Sequence, residues 1–220
     1  SITVGCEVKF SLKDINLEYV KKDESAIYSK LLLQNLLKNN EFMDCVVQIG
    51  EEEINAHRSI LAQNSVVFRR MFEQIGMVEA QNVRLTRKRS FKEINNKGIV
   101  KIDDCTAECF HALLEYCYTG IVSNDKLDIL AEDLFAAAHK YEITPLKDKC
   151  EIYMASTIDF ENFYHLCRIV QTYGSPILED AISKFISANR TIFNSKEWKT
   201  LKVECVVLTQ RLMESIICDS

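Results

Sequence analysis

The stretch from Phe42 to Phe72 changes its hydrophobic period once, and that change restricts the fold more than any other part of the chain. Phe42-Met43-Asp44-Cys45-Val46-Val47-Gln48-Ile49-Gly50 holds a short apolar run rich in β-branched residues, which favours a strand. Gly50 is a turn signal, and Ile54 and Ala56 carry a return strand. Ala56-His57-Arg58-Ser59-Ile60-Leu61-Ala62 follows, closing on Phe68-Arg69-Arg70-Met71-Phe72. There Ile60, Leu61, Phe68, Met71 and Phe72 recur at helical steps. The pattern predicts a β-hairpin followed by two helices.

The rest of the chain is mainly helical in pattern. Only six glycines and two prolines occur in 220 residues, which disfavours a turn-rich β architecture, and 47% hydrophobic residues suffice for a real core. Residues 27–39 form an amphipathic helix with Ile27, Leu31, Leu32, Leu36 and Leu37 in one broad stripe that Leu33 widens. That stripe exceeds what a short leading helix needs for its own core. A second subunit and the parent domain are the two surfaces that would take it. Ile99 to Ile102 reads as a strand. Thr106 is an N-cap for a helix through Tyr118, ended by Thr119-Gly120. Leu127, Leu130, Leu134, Phe135, Ala138 and Tyr141 mark the next helix, and Pro145 opens another at an early position. Asp159 is expected to cap a helix over 160–173, with a break at Tyr173-Gly174-Ser175-Pro176. A further helix is expected to run to about Phe193, then a short turn from Ser195, then a final amphipathic helix from Val203 to Ile216.

Ile2, Val4, Cys6, Val8 and Phe10 alternate with more polar residues, so residues 1–13 read as a half-buried strand. It has no partner in the next thirty residues and is expected to be the last strand of something upstream. Residues 14–26 are a charged linker. Residues 80–98 contain Arg84, Arg87, Lys88, Arg89, Lys92 and Lys97, which suit a solvated insertion loop. A localisation signal, a phosphate-binding loop and phosphorylation at Ser90 are its other possible uses.

The net charge of -5 opposes general nucleic-acid binding, and no apolar run reaches the length of a membrane span. The nine cysteines are odd in number and fall mostly in apolar stretches, which suits reduced thiols in the cytosol or nucleus. Cys105, Cys109 and His111 lack the second ligand pair of a zinc site. His57 reads as a core or capping histidine rather than a catalytic one. Phosphate-cradling glycine motifs and a paired-carboxylate pattern are both missing. The expectation is a non-enzymatic chain with no catalytic, metal or cofactor site.

The Phe42–Phe72 segment resembles the BTB (POZ) domain. Three further stretches resemble the speckle-type POZ protein group: Glu115-Tyr116-Cys117-Tyr118-Thr119-Gly120, the run from Asp133 through Glu151, and the run from Glu161-Asn162 through Lys199. The resemblance covers roughly residues 27–216. It implies an α+β, mainly helical chain: a BTB/POZ fold over 27–155, a small β-sheet flanked by helices, followed by a BACK-like (three-box) helical tail over 156–220. In that group an upstream MATH domain ends in Cys-Glu-Val, matched here by Cys6-Glu7-Val8. The chain therefore resembles a MATH-BTB protein with its MATH domain mostly missing.

The resemblance implies a homodimeric substrate adaptor of a cullin-3 type E3 ubiquitin ligase, in nucleus or cytoplasm. Leu32, Leu33, Leu36, Leu37, Asp44 and Arg58 would form the dimer interface. Met77-Val78-Glu79 fits the group's hydrophobic-x-Glu motif for the cullin-3 N-terminal domain, with Phe68, Tyr118 and Met213 as further contacts. Protein substrates would be held by the missing upstream domain, and neither nucleic acid nor membrane is an expected partner. The segment between Glu79 and Ile99 is longer and more basic than in the group. The alternative is a BTB scaffold or co-regulator that dimerises, ignores cullin and forms mixed dimers with full-length relatives.

Overall fold

The computed structural model describes residue 28 and residues 31–74 and 98–218. The expected strand over 1–13, the linker over 14–26, Met77-Val78-Glu79 and almost all of the basic insertion lie outside the described residues.

Helix α1 (residues 31–39) leads into a three-stranded sheet. Strand β1 (Cys45–Ile49) pairs antiparallel with β2 (Glu52–Ala56), with Val47 opposite Ile54. Strand β3 (Gly98–Ile102) joins β1 in parallel, with Val47 opposite Val100, so the order is β2-β1-β3. The central strand is apolar almost throughout because both of its faces are covered. β2 is an edge and keeps Glu52 and Glu53 exposed. Gly50, at φ 57°, supplies the left-handed residue of the tight β1–β2 turn.

Between β2 and β3 stand α2 (Arg58–Asn64) and α3 (residues 66–74). Ser65 separates them: its Oγ accepts the Phe68 N–H at 3.0 Å and donates to the Tyr141 carbonyl at 2.5 Å. After β3 come α4 (Ala107–Thr119), α5 (Asn124–Lys140) and α6 (Thr144–Ser156). α4 packs on α2 and α5, and α5 lies along α6. As the sequence predicts, the Thr106 side chain caps α4 by accepting the Cys109 N–H, and Gly120 ends it in the left-handed conformation at φ 69°. Pro145 sits in the first turn of α6, where no helical N–H is lost.

The second half contains α7 (Phe163–Tyr173), α8 (Pro176–Ala188), a 3-10 turn (Arg190–Asn194), α9 (Lys196–Glu204) and α10 (Val206–Cys218). Three expectations are corrected here. Asp159 does not cap α7 directly. Its Oδ1 accepts the N–H groups of Glu161 and Asn162 while Asn162 Oδ1 accepts the Asp159 N–H, closing a non-helical turn before the helix starts at Phe163. α8 stops at Ala188 instead of Phe193, because Asn189 Nδ2 bonds back to the Phe185 carbonyl and the chain tightens into 3-10 geometry. Ser195 opens a nine-residue helix rather than a turn: its Oγ accepts the Trp198 N–H, and Trp198 and Leu201 are buried.

One continuous apolar cluster runs from Cys45 in β1 to Ile216 in α10. Its centre is aromatic: Phe68 lies flat on Tyr141 at 4.5 Å between ring centroids and meets Phe110 edge-on. A polar joint crosses from α6 to α8. Buried Glu151 accepts a hydrogen bond from Ser175 Oγ, the same oxygen that caps α8 at Leu178. The carboxylate thus lies at a helix N-terminus, where the helix dipole favours negative charge. α10 is tied back onto α8 by Arg211, which grips Glu179 with two hydrogen bonds at 2.8 and 2.9 Å, and by Ser183 and Ser215.

Two stability outcomes follow from these caps. Gly120→Ala meets no atom within 4 Å but forces a Cβ into left-handed backbone, so denaturant melts should show a loss of about 1 kcal/mol. Ser175→Ala removes an N-cap and strands a buried carboxylate; the same melts should show a loss of about 3 kcal/mol.

Candidate functional site

The described residues offer two surfaces. The first is built on α1 and the turn that follows. Leu33, Leu36 and Leu37, at helical spacing, are half-buried and pack on the chain's own core. Tyr28, Leu31 and Leu32 have the same spacing on another face and point outward, with both leucines about half exposed at 50% and 51%. The broad stripe of the sequence is thus two faces with two duties. Of the four leucines expected at the dimer interface, only Leu32 stands on the outward face. Phe42, held at φ 57° in the following turn, is 85% exposed. Tyr28, Leu31 and Phe42 were not among the expected interface residues. The separate i, i+3, i+4 spacing of the first pair was the available signal.

The turn is clamped from below. His57 Nε2 bonds to the Glu41 carbonyl at 2.9 Å, and because a carbonyl only accepts, Nε2 carries the proton. Nδ1 then accepts from the Tyr118 hydroxyl at 2.5 Å, and that oxygen accepts the His57 backbone N–H at 3.1 Å. One tautomer satisfies every group. His57 is therefore a buried structural histidine that joins the α1–β1 turn to the end of α4. Burial pushes the Tyr118 phenol up to about 12. Asp44 and Arg58, expected as a charged pair, meet through the backbone: Asp44 Oδ1 accepts the Arg58 N–H at 2.7 Å, at the start of α2. The Arg58 guanidinium lies over the Phe72 ring at 5.9 Å.

The second surface was expected around the helix pair and the tail. Phe68 is fully buried and Tyr118 is 2% exposed, so both expected contacts are corrected to core residues. The Ser65 cap turns the 65, 68 and 72 face of α3 inward onto Tyr141, and Tyr118 spends its hydroxyl on His57. Met213 is partly exposed on α10, on a face with exposed Val206 and Ile217. Met77, Val78 and Glu79 lie outside the described residues.

A polar cleft of about 540 Å³ separates α1 from β2 and α4. Within it His111 bonds to Glu52 at 2.9 Å and Lys126 pairs with Glu115, Lys38 and Glu53 also line it, and no nucleophile faces a base. Among the described residues, no group of three or more His, Cys, Asp and Glu is placed to hold a metal ion, and no helix is long and apolar enough to cross a membrane.

The family profile of the BTB/POZ domain matches residues 33–158. The chain is similar to BTB and MATH domain-containing protein 42 of Caenorhabditis elegans, 29% identical over 214 residues, which is 95% of this chain and 48% of that protein. The chain therefore spans about half the length of that curated relative. Among solved structures, the BTB domain of zebrafish PATZ1 aligns along its whole length with 68% of this chain, at 16% identity and a TM-score of 0.44. A three-stranded sheet capped by helices, together with a match over more than half of its length, means that the chain belongs to the BTB/POZ domain family, a fold of protein interaction.

Proposed function

We propose that this chain is the dimerising and cullin-3-binding part of a substrate adaptor for a cullin-3 type E3 ubiquitin ligase, without a catalytic step of its own. The observation that carries this reading is the reach of the likeness to the BTB and MATH domain-containing relative. At 95% of the chain it extends well past residue 158 and takes in most of the helical tail. A BTB unit over 27–155 and a BACK-like tail over 156–220 work as one piece. Residues 1–13, the linker over 14–26 and a MATH-like domain ahead of them connect that piece to protein substrates. The insertion over 80–98 borders the cullin-3 motif. The adaptor acts in the nucleus or cytoplasm, where its thiols stay reduced.

Two copies associate through the outward face of α1, and its exposed Leu31 and Leu32, with exposed Tyr28 ahead of them, support this use. A dimer carries two substrate sites, so avidity raises affinity for multivalent substrates without new contacts. The cullin-3 N-terminal domain engages Met77-Val78-Glu79, one apolar anchor with a neighbouring carboxylate, and Met213 adds a contact from the tail. Phe68 and Tyr118 serve this surface from beneath, as packing.

Light scattering of the purified chain should give the mass of a dimer, and titration with the cullin-3 N-terminal domain should give a Kd of about 1 μM or tighter, near -8 kcal/mol. Met77→Asp should keep the dimer mass and weaken cullin-3 binding by about 30-fold or more, the loss of one hot spot. A dimer that does not bind would overturn the adaptor reading and leave a scaffold that forms mixed dimers with full-length relatives. Leu31→Asp with Leu32→Asp, both on the outward face, should yield a folded monomer in the same experiment.

A further inference from the structure

The turn after α1 presents an aromatic ring in a conformation that its own burial does not offset. Phe42 sits at φ 57° and is 85% exposed. Left-handed backbone is costly for a residue with a Cβ, and an exposed ring gains little from leaving water. The backbone on both sides is pinned. The Glu41 carbonyl is bonded to His57 Nε2, Met43 is buried, and Asp44 Oδ1 accepts the Arg58 N–H. Phe42 is therefore a projecting ring on a rigid base, the form of an anchor that loses little freedom when it docks.

A receptor of matching character lies beside it. The cleft of about 540 Å³ between α1, β2 and α4 has Asn40 on its rim, two residues before Phe42, and Leu37, Ile54 and Leu114 as apolar lining. A cavity of roughly 150 Å³ already holds a benzene ring, so the cleft has room for a phenyl group and the turn that carries it. Lys38 on the α1 wall and Glu53 on the β2 wall form no ion pair among the described residues. One charge of each sign does not favour a strongly acidic or strongly basic partner. It is self-complementary: a two-fold axis sets Lys38 of each copy against Glu53 of the other. Leu31, Gln34 and Lys38 form one row along α1 at steps of three and four, so outward Leu31 is continuous with the cleft wall. A second copy seated on Leu31 and Leu32 thus reaches the cleft along the same side of the helix.

We propose that this chain dimerises by reciprocal insertion: Phe42 of each copy enters the cleft between α1 and β2 of the other, and Lys38 pairs with Glu53 across the two-fold axis. The proposal rests on the dimer reading above and names the contact that makes the dimer specific. An interface of this kind is isologous and closes at two copies. It also selects its partner. A relative that lacks the ring at position 42, or reverses one of the two charges, is disfavoured in a mixed dimer.

Sedimentation of the full chain over a concentration series gives the dimer dissociation constant. Phe42→Asn installs a residue that tolerates left-handed backbone, so the turn keeps its shape without the ring; the constant should rise about 30-fold or more, the loss of one hot spot. Lys38→Glu and Glu53→Lys should each weaken self-association several-fold, because each sets like charges across the axis. Mixed at physiological ionic strength, where distant charges are screened, these two variants should form a heterodimer tighter than either homodimer, since every contact again joins opposite charges. A constant indifferent to residue 42, or a mixture no tighter than its components, would overturn the proposal while leaving a dimer held by Leu31 and Leu32. A chain that is monomeric at every concentration would overturn the dimer reading itself.

Discussion

The Tyr118 hydroxyl and the His57 imidazole make the contact on which the front of the molecule depends. Three segments that are distant in sequence meet there: the turn after α1 through the Glu41 carbonyl, the start of α2 through the His57 N–H, and the last turn of α4 through Tyr118 itself. Each donor faces an acceptor, so the network is buried without an unmet group, the condition under which polar burial rigidifies rather than destabilises. α1 is consequently held at a fixed attitude, with one leucine face pressed on the core and the other presented to solvent. Asp44, just ahead of β1, adds a further tie by accepting the Arg58 N–H at the start of α2.

The elements most legible in the sequence were those set by local chemistry. The β1–β2 hairpin follows from a β-branched run and Gly50, and the ends of α4 and α7 follow from Gly120 and Gly174, both left-handed. Pro145 in the first turn of α6 is equally local. α9 is hidden in the sequence because its lysines and two glutamates mask a buried pair, Trp198 and Leu201, in only nine residues. The end of α8 was overrun because Phe193 continues the apolar spacing after Asn189 has already turned the backbone.

The candidate surfaces were less legible, for a tertiary reason. An aromatic residue on an amphipathic helix reads the same whether its ring meets a partner or the core. Phe68 became core because Tyr141, from the far side of the β3 connection, lies flat against it, and Tyr118 because His57 claims its hydroxyl. The α1 stripe presents itself in the sequence as a single surface, yet steps of three and four starting from Tyr28 and from Leu33 fall on different sides of a helix.

The Glu151–Ser175 joint has a mechanical consequence. A bead-on-a-string chain lets its parts reorient freely, whereas here the apolar cluster passes beneath the joint without interruption and α10 is bolted to α8 by Arg211 and Glu179. The two halves move as one lever. Whatever grips the α1 end thereby bears on the α10 end, because the described residues between them share one packed core. A mispositioned partner at one end must then be accommodated by its own flexibility or be refused.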